Sequence, residues 1–227
     1  VSETLGATIR LDDVEVRVLG ALIEKQVTTP EYYPLTLNAL VHACNQTSNR
    51  DPVVAYDERT VAGALERLRA KKLARVVQTA DGRVPKYRHV LNEVVELKAA
   101  ELAVMCVLLL RGPQTVGELR GRTERLYSFS DLTYVEGTLQ GLMERADGPL
   151  VVKLPRQAGR KESRYAHLLA GPVEVEEQPR SLRPEPAMAA VRAENERIAQ
   201  LEGEVATLRR ELDELRQQFS EFKKQFE

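Results

Sequence analysis

Residues 74–90 read ARVVQTADGRVPKYRHV, and the fold turns on them. Two strand-like runs, ARVVQ and KYRHV, flank TADGRVP, whose Asp81-Gly82 pair is a hairpin-turn signal. Upstream lie three helical patterns. Asp12 and Asp13 open the first, where carboxylates suit the positive end of the helix dipole, and Val14, Val18, Leu22 and Ile23 recur at helical spacing up to Lys25. After TTPEYYPLT, an extended stretch in which Tyr32 and Tyr33 are expected in the core, a second helix runs over 35–46. Asp57 caps a third, with Val61, Leu65 and Leu68 as its buried stripe and Lys71-Lys72 at its C-terminus. Three helices and then a hairpin, in about 80 residues, is the order of a winged helix. A plain three-helix bundle would leave the hairpin unexplained.

The order then repeats. Residues 92–111 read as one long helix whose second half, LAVMCVLLL, is apolar almost all round and therefore buried. Gly112-Pro113 stops it. Thr115 with Glu118 three residues on is a capping box, Ser130 or Asp131 starts a third helix through Val135, Leu139 and Leu142, and LVVKLP and SRYAHLL make strands around RQAGRKE.

Residues 171–186 carry four prolines and little apolar material and read as a linker. From 187 onward the pattern is a heptad. Val191, Ile198, Val205, Leu212, Phe219 and Phe226 fall at a, and Leu201, Leu208, Leu215 and Phe222 at d. β-Branched a positions with leucine at d favour two parallel strands. The facing pairs Arg197–Glu202, Glu204–Arg209 and Glu211–Arg216 are all opposite in sign. Ile198, Leu201, Val205, Leu208, Leu212 and Leu215 are the expected seam of a homodimer; a helix folded back on its own chain is the alternative. The expected fold is thus mainly α with small β-hairpins (α+β). Winged-helix domains at 10–91 and 92–170 are followed by the linker at 171–186 and a coiled coil at 187–227.

With 33 Lys and Arg against 34 Asp and Glu, the formal net charge is −1, so the chain as a whole has no bias toward nucleic acid. The first ten residues lack the apolar core of a signal peptide, and the longest apolar run, 102–110, is about half a membrane span. A cytoplasmic protein is expected. Cys44 and Cys106 sit in no CxxC pair. His42 and Cys44 could be two metal ligands, but no further ligand clusters near them, and Cys44 shares a helix face with Leu37, Leu40 and Val41. No nucleophile motif, P-loop or GxGxxG occurs, so neither an enzyme nor a cofactor is expected.

Binding residues must come from local charge. The second hairpin carries Lys153, Arg156, Arg160, Lys161 and Arg164 against Glu162 alone, on what should be a projecting wing. Cations there can contact phosphates, or merely keep the hairpin edge from pairing with other chains. Arg120, Arg122 and Arg125 precede the second module's reading helix, whose polar face offers Ser130, Thr133, Tyr134 and Thr138; Glu124, Asp131 and Glu136 dilute them. In the first module the loop at 45–50, including Asn49 and Arg50, is rich in hydrogen-bonding groups, which can contact DNA or simply satisfy the loop backbone. Arg59, Thr60 and Arg67 face Asp57, Glu58 and Glu66. Glu24, Lys25 and Gln26 read as a solvated helix end.

The stretches ALIEKQVTTPEYYPLTLNALVHACNQTSNRDPV (21–53) and LPRQAGRKESRYAHLL (154–169) resemble the bacterial YceH family of tandem winged-helix proteins. The resemblance covers roughly residues 10–170. It implies the same fold but no established activity. Thr47 stands where the family pattern has lysine, which removes a cation from the 45–50 loop, and Ala158 stands where it has proline. Two functions remain open: a dimeric DNA-binding protein such as a transcriptional regulator, using double-stranded DNA, or a protein-interaction adaptor.

Overall fold

The computed structural model describes residues 9–78, 84–156 and 162–172, all within a compact unit formed by residues 1–175. The Asp81-Gly82 turn, Arg160 and Lys161 of the expected wing, the linker beyond 172 and the heptad segment with its expected seam lie outside the described residues.

Helix α1 (Asp13–Thr28) starts at a reciprocal cap: Asp12 accepts the Glu15 amide, and the Glu15 carboxylate accepts the Asp12 amide. Two amides that the helix cannot satisfy are thereby paired. All residues from Glu15 to Glu24 are buried. A helix buried on every side must be surrounded, and α1 packs against three others: α2 (Leu37–Cys44), α3 (Glu58–Ala70) and α5 (Ala99–Arg111).

Strand β1 (Leu35–Thr36) pairs antiparallel with β3 (Lys86–His89), and β3 pairs with β2 (Ala74–Val77), giving the order β1-β3-β2. This shortens the helix expected over 35–46. Leu35 and Thr36 are drawn into the sheet, and the Thr36 hydroxyl then caps α2 by accepting the Ala39 amide. Tyr33 packs against the core, but Tyr32 is 72% exposed, contrary to the sequence reading. Tyr32 ends a 3-10 turn begun at Pro30, which aims its ring away from the packed face.

The single helix expected from 92 to 111 is two. Short helix α4 (Leu91–Val94) ends where Val95 turns extended (φ −129°, ψ 107°) and buries its side chain. Helix α5 begins after Lys98, whose amide donates to Glu101 Oε2 at 2.8 Å, and ends at Gly112, whose φ of +68° favours glycine. Helix α6 (Val116–Thr123), helix α7 (Leu132–Met143) and strands β4 (Val151–Lys153) and β5 (Tyr165–His167) complete the chain.

The two halves match residue by residue. Thr36 and Thr115 cap α2 and α6, and Asp57 and Asp131 cap α3 and α7. Leu35 faces Tyr87 across the β1–β3 pair as Gln114 faces Tyr165 in an antiparallel bridge. Ala74 faces His89 as Val151 faces His167. The Leu73 carbonyl accepts the Val90 amide, and the Leu150 carbonyl accepts the Leu168 amide. The halves are joined through α1 and α5, where Gly20 lets the backbone of α1 approach Leu109 and Leu110 closely. The Leu11 amide donates to the Leu169 carbonyl at 2.8 Å, tying the start of α1 to the end of the second half. Among the described residues no helix is long and apolar enough to cross a membrane.

Candidate nucleic-acid interface

The β4–β5 ribbon presents its cations unequally. Lys153 is exposed, its ammonium 5.8 Å from the centroid of the Tyr165 ring, close enough for a cation–π attraction that leaves it open to solvent. Arg156 is also exposed. Arg164 turns inward instead, with Nη2 3.8 Å from Glu118 Oε1 and Nη1 donating to the Pro113 carbonyl at 3.5 Å. It braces the ribbon against the start of α6.

Arg120, at the end of α6, donates to the Ser130 carbonyl at 3.1 Å and so closes the turn between α6 and α7. Arg122 is held by Gln114 and by Glu118 at 3.5 Å. Arg125 is exposed and has no hydrogen bond or ion pair with any described residue. On α7, Thr133 and Tyr134 are exposed, but Thr138 is buried and donates to the Tyr134 carbonyl, so it offers nothing to a groove. Helix α7 carries no lysine or arginine. Beside the polar Thr133, Glu136 and Gln140 it exposes apolar and aromatic surface: Leu132 and Tyr134 are each 46% exposed, and Tyr134 packs edge-on against Phe129 and Tyr127. Asp131 has its carboxyl held below the usual range by the Tyr134 amide and the Ser130 hydroxyl, so it stays ionised at the helix start.

In the first half, charge is directed inward. Arg50, a candidate DNA contact, is buried: Nη2 lies 2.6 Å from Glu24 Oε2, and the guanidinium also donates to the Ala43 carbonyl and to Gln46. Every face of its fork is taken by protein, so no surface remains for a phosphate. Glu24 is correspondingly buried and not part of a solvated helix end; nearby, Gln26 Oε1 meets His89 Nε2. Asn49 is exposed, with a φ of +57° that asparagine tolerates. On α3, Arg67 reaches Asp12 at 2.9 Å and Arg69 reaches Glu66 at 2.7 Å, while Lys71 reaches the buried Glu15 at 2.6 Å. Arg59 stays exposed.

Both cysteines are core residues. Burial pushes the Cys44 thiol up to about 12 and raises that of Cys106 as well, so neither forms the thiolate that nucleophilic chemistry needs.

Three of the sequence-derived candidates from opposite halves do meet. Asn49, Arg122 and Arg125 line one crevice at the seam between α5, α6 and the 45–50 loop. Arg111 joins them there, its Nη1 donating to Asn49 Oδ1 at 3.3 Å. Sequence reading passes over Arg111 because it closes an otherwise apolar helix. The one signal for it is a lone cation just before the Gly112-Pro113 stop.

The family model for a protein of unknown function, DUF480, matches residues 11–160. A UPF0502 protein of Geobacter sulfurreducens is 60% identical over 200 residues, 88% of this chain and 90% of its own length. A UPF0502 protein of Geotalea uraniireducens is 60% identical over 198 residues, covering 87% and 90% of the two chains. One from Opitutus terrae is 56% identical over 196 residues, covering 86% and 82%. These matches agree with the YceH-like stretches at 21–53 and 154–169, and the chain belongs to the DUF480, or UPF0502, family of bacterial proteins.

Proposed function

We propose that this chain is a tandem winged-helix DNA-binding protein, paired by its heptad segment and acting as a regulator of transcription. The observation that carries the reading is the placement of exposed cations on the second wing. Lys153 at the end of β4 and Arg156 three residues beyond it face solvent, and Arg160 and Lys161 follow in sequence. On the first half's third helix, by contrast, Arg67 and Arg69 close on carboxylates of the protein itself. Exposed cations without an ion-pair partner are suited to phosphate contact and counterion release. Since α7 offers hydroxyls and apolar groups but no guanidinium, base readout is expected to be weak. Binding is then dominated by the duplex backbone.

The test is a salt-titrated binding assay of the full chain on mixed-sequence duplex DNA. Lys153→Glu with Arg156→Glu should weaken binding to all duplexes alike. The salt slope should fall by about one unit for each phosphate that the ribbon no longer neutralises. A slope unchanged in the variant removes the wing from the reading.

One observation favours a second reading, that of a protein-interaction adaptor. Leu132 and Tyr134 expose apolar surface on α7 where a base-reading helix would carry polar or basic side chains. No measurable duplex binding at low salt would favour it.

A further inference from the structure

The exposed side of α7 is a groove beside an acidic ridge. Between Asp131 and Glu144 the chain has three carboxylates and no lysine, arginine or histidine. Leu132, Glu136, Gln140 and Glu144 recur every four residues, so they form one ridge along the helix and its C-terminal cap, and all four are exposed. The Gln140 amide donates to Glu144 Oε1 and so holds that carboxylate on the ridge. Beside the ridge run Thr133, Gly137 and Gly141, also exposed. Among the described residues nothing lies within 4 Å of a Cβ built at Gly137, and one built at Gly141 lies 3.6 Å from Glu101 Oε1 of α5. On the other side of this groove stands Tyr134, whose ring is set by Phe129 (centroids 5.3 Å apart) and Tyr127 (6.1 Å), with its hydroxyl 3.0 Å from that of Tyr127. A ring already held in place loses little freedom when a partner covers it. Of the flanking arginines, Arg145 is bound to Asp147 at 2.7 Å, and Arg120 donates to the Ser130 carbonyl.

We propose that this groove receives a cationic amphipathic helix of a partner protein. A row of residues four apart on one helix seats in the groove between such rows on another, and a groove emptied by glycine lets the two backbones approach. Glu136 and Glu144, with Glu101 at the far end, set the partner's charge as positive. Leu132 and Tyr134 set its central contacts as apolar. The same carboxylates repel the phosphates of a duplex, which disfavours this helix as a groove reader. The proposal rests on the protein-binding reading of α7 and leaves the wing free for a duplex, since no residue is shared with the β4–β5 ribbon.

The experiment follows the fluorescence anisotropy of a labelled helical peptide of leucine, alanine and lysine, with its leucines on one face, as the full chain is added. A peptide with each lysine replaced by glutamate is the control. Saturable binding of the lysine peptide, and not of the control, is expected. Gly137→Gln fills the groove without adding charge and raises helix propensity, so it keeps the fold; it should weaken binding about tenfold or more. Glu136→Lys with Glu144→Lys should do the same and flatten the salt dependence. Lys153→Glu with Arg156→Glu should leave the peptide's affinity unchanged even where duplex affinity falls. No binding, equal affinity of the two peptides, or affinity unchanged in Gly137→Gln overturns the proposal, and none of these results alters the duplex titration that tests the wing. Duplex DNA that displaces the peptide and is itself bound more weakly by Gly137→Gln would seat α7 in a nucleic-acid groove, and this too overturns the proposal.

Discussion

Arg50 is bound to Glu24 by a 2.6 Å ion pair in which the guanidinium has no solvent exposure and the carboxylate has only 9%. The pair joins the 45–50 loop to the end of α1, and further bonds to Ala43 and Gln46 leave the guanidinium no idle face. Breaking such a pair from one side leaves a buried charge without compensation. Glu24→Gln should therefore cost about 3–5 kcal/mol in urea unfolding. The double change Glu24→Leu with Arg50→Met should recover much of that stability, because it removes both charges together. A double variant as unstable as the single one would mean that the backbone contacts of Arg50, and not the charge pair, hold the loop.

Packing at the α1–α5 crossing is as tight as the backbone allows. A Cβ at Gly20 would lie 2.8 Å from Leu110 Cδ2 and 3.2 Å from Leu109 Cβ. Gly20→Val must push the helices apart and is expected to destabilise by about 1–3 kcal/mol, in the range of core overpacking. Gly137→Ala, where nothing lies within 4 Å, is the matched control and should stabilise slightly through helix propensity. Equal effects at the two positions would show that the crossing relaxes freely.

Much of this architecture is legible in the sequence, because caps and hydrophobic periods are local. Asp12, Asp57, Thr115 and Asp131 cap the helices that their positions in the sequence predict. What escapes such reading is non-local. Leu35 looks helical until β3 recruits it into the sheet. Val95 carries an apolar side chain that the core takes in extended form, breaking a helix that periodicity would continue. The candidate site suffers most. Arg50 in a polar loop is indistinguishable by sequence from a surface cation, since its partner Glu24 is 26 residues away. The meeting of Asn49 with Arg125 depends on how the two halves pack, which no local pattern encodes.

The paired histidines of the repeat give a pH dependence. Burial pushes His89 down to about 4, aided by the neighbouring Arg88 charge, and burial pushes His167 to about the same value against a small opposing pull from Asp13. In the unfolded chain both titrate near 6.5, so the unfolded state binds more protons as the pH falls. Stability is therefore full above pH ~6.5 and declines between ~6.5 and ~4, by up to about 1.4 kcal/mol per pH unit for each histidine. Urea unfolding at about pH 7, 6 and 5, from just above the free histidine value to below it, measures the slope. His167→Asn should flatten it by about half over that interval. A slope that survives replacement of both histidines would have to come from other groups.

The heptad segment makes the last expectation. If residues 187–227 pair two copies in parallel, sedimentation should find the full chain as a dimer and a chain ending at residue 175 as a monomer. Residues 1–175 form a compact unit in themselves, so the truncation should leave the fold intact. Two wings on one dimer would engage one duplex together, and the second would dock at an effective concentration set by the linker. Truncation should then weaken duplex binding and lower the salt slope, because each complex neutralises half as many phosphates. Ile198→Asp with Leu201→Asp places charges at adjacent a and d positions and should mimic truncation in both readouts. Monomers at both lengths would assign the heptad segment to another partner; dimers at both would move the interface into residues 1–175. Dimerisation abolished with duplex affinity unchanged would mean that each wing binds alone.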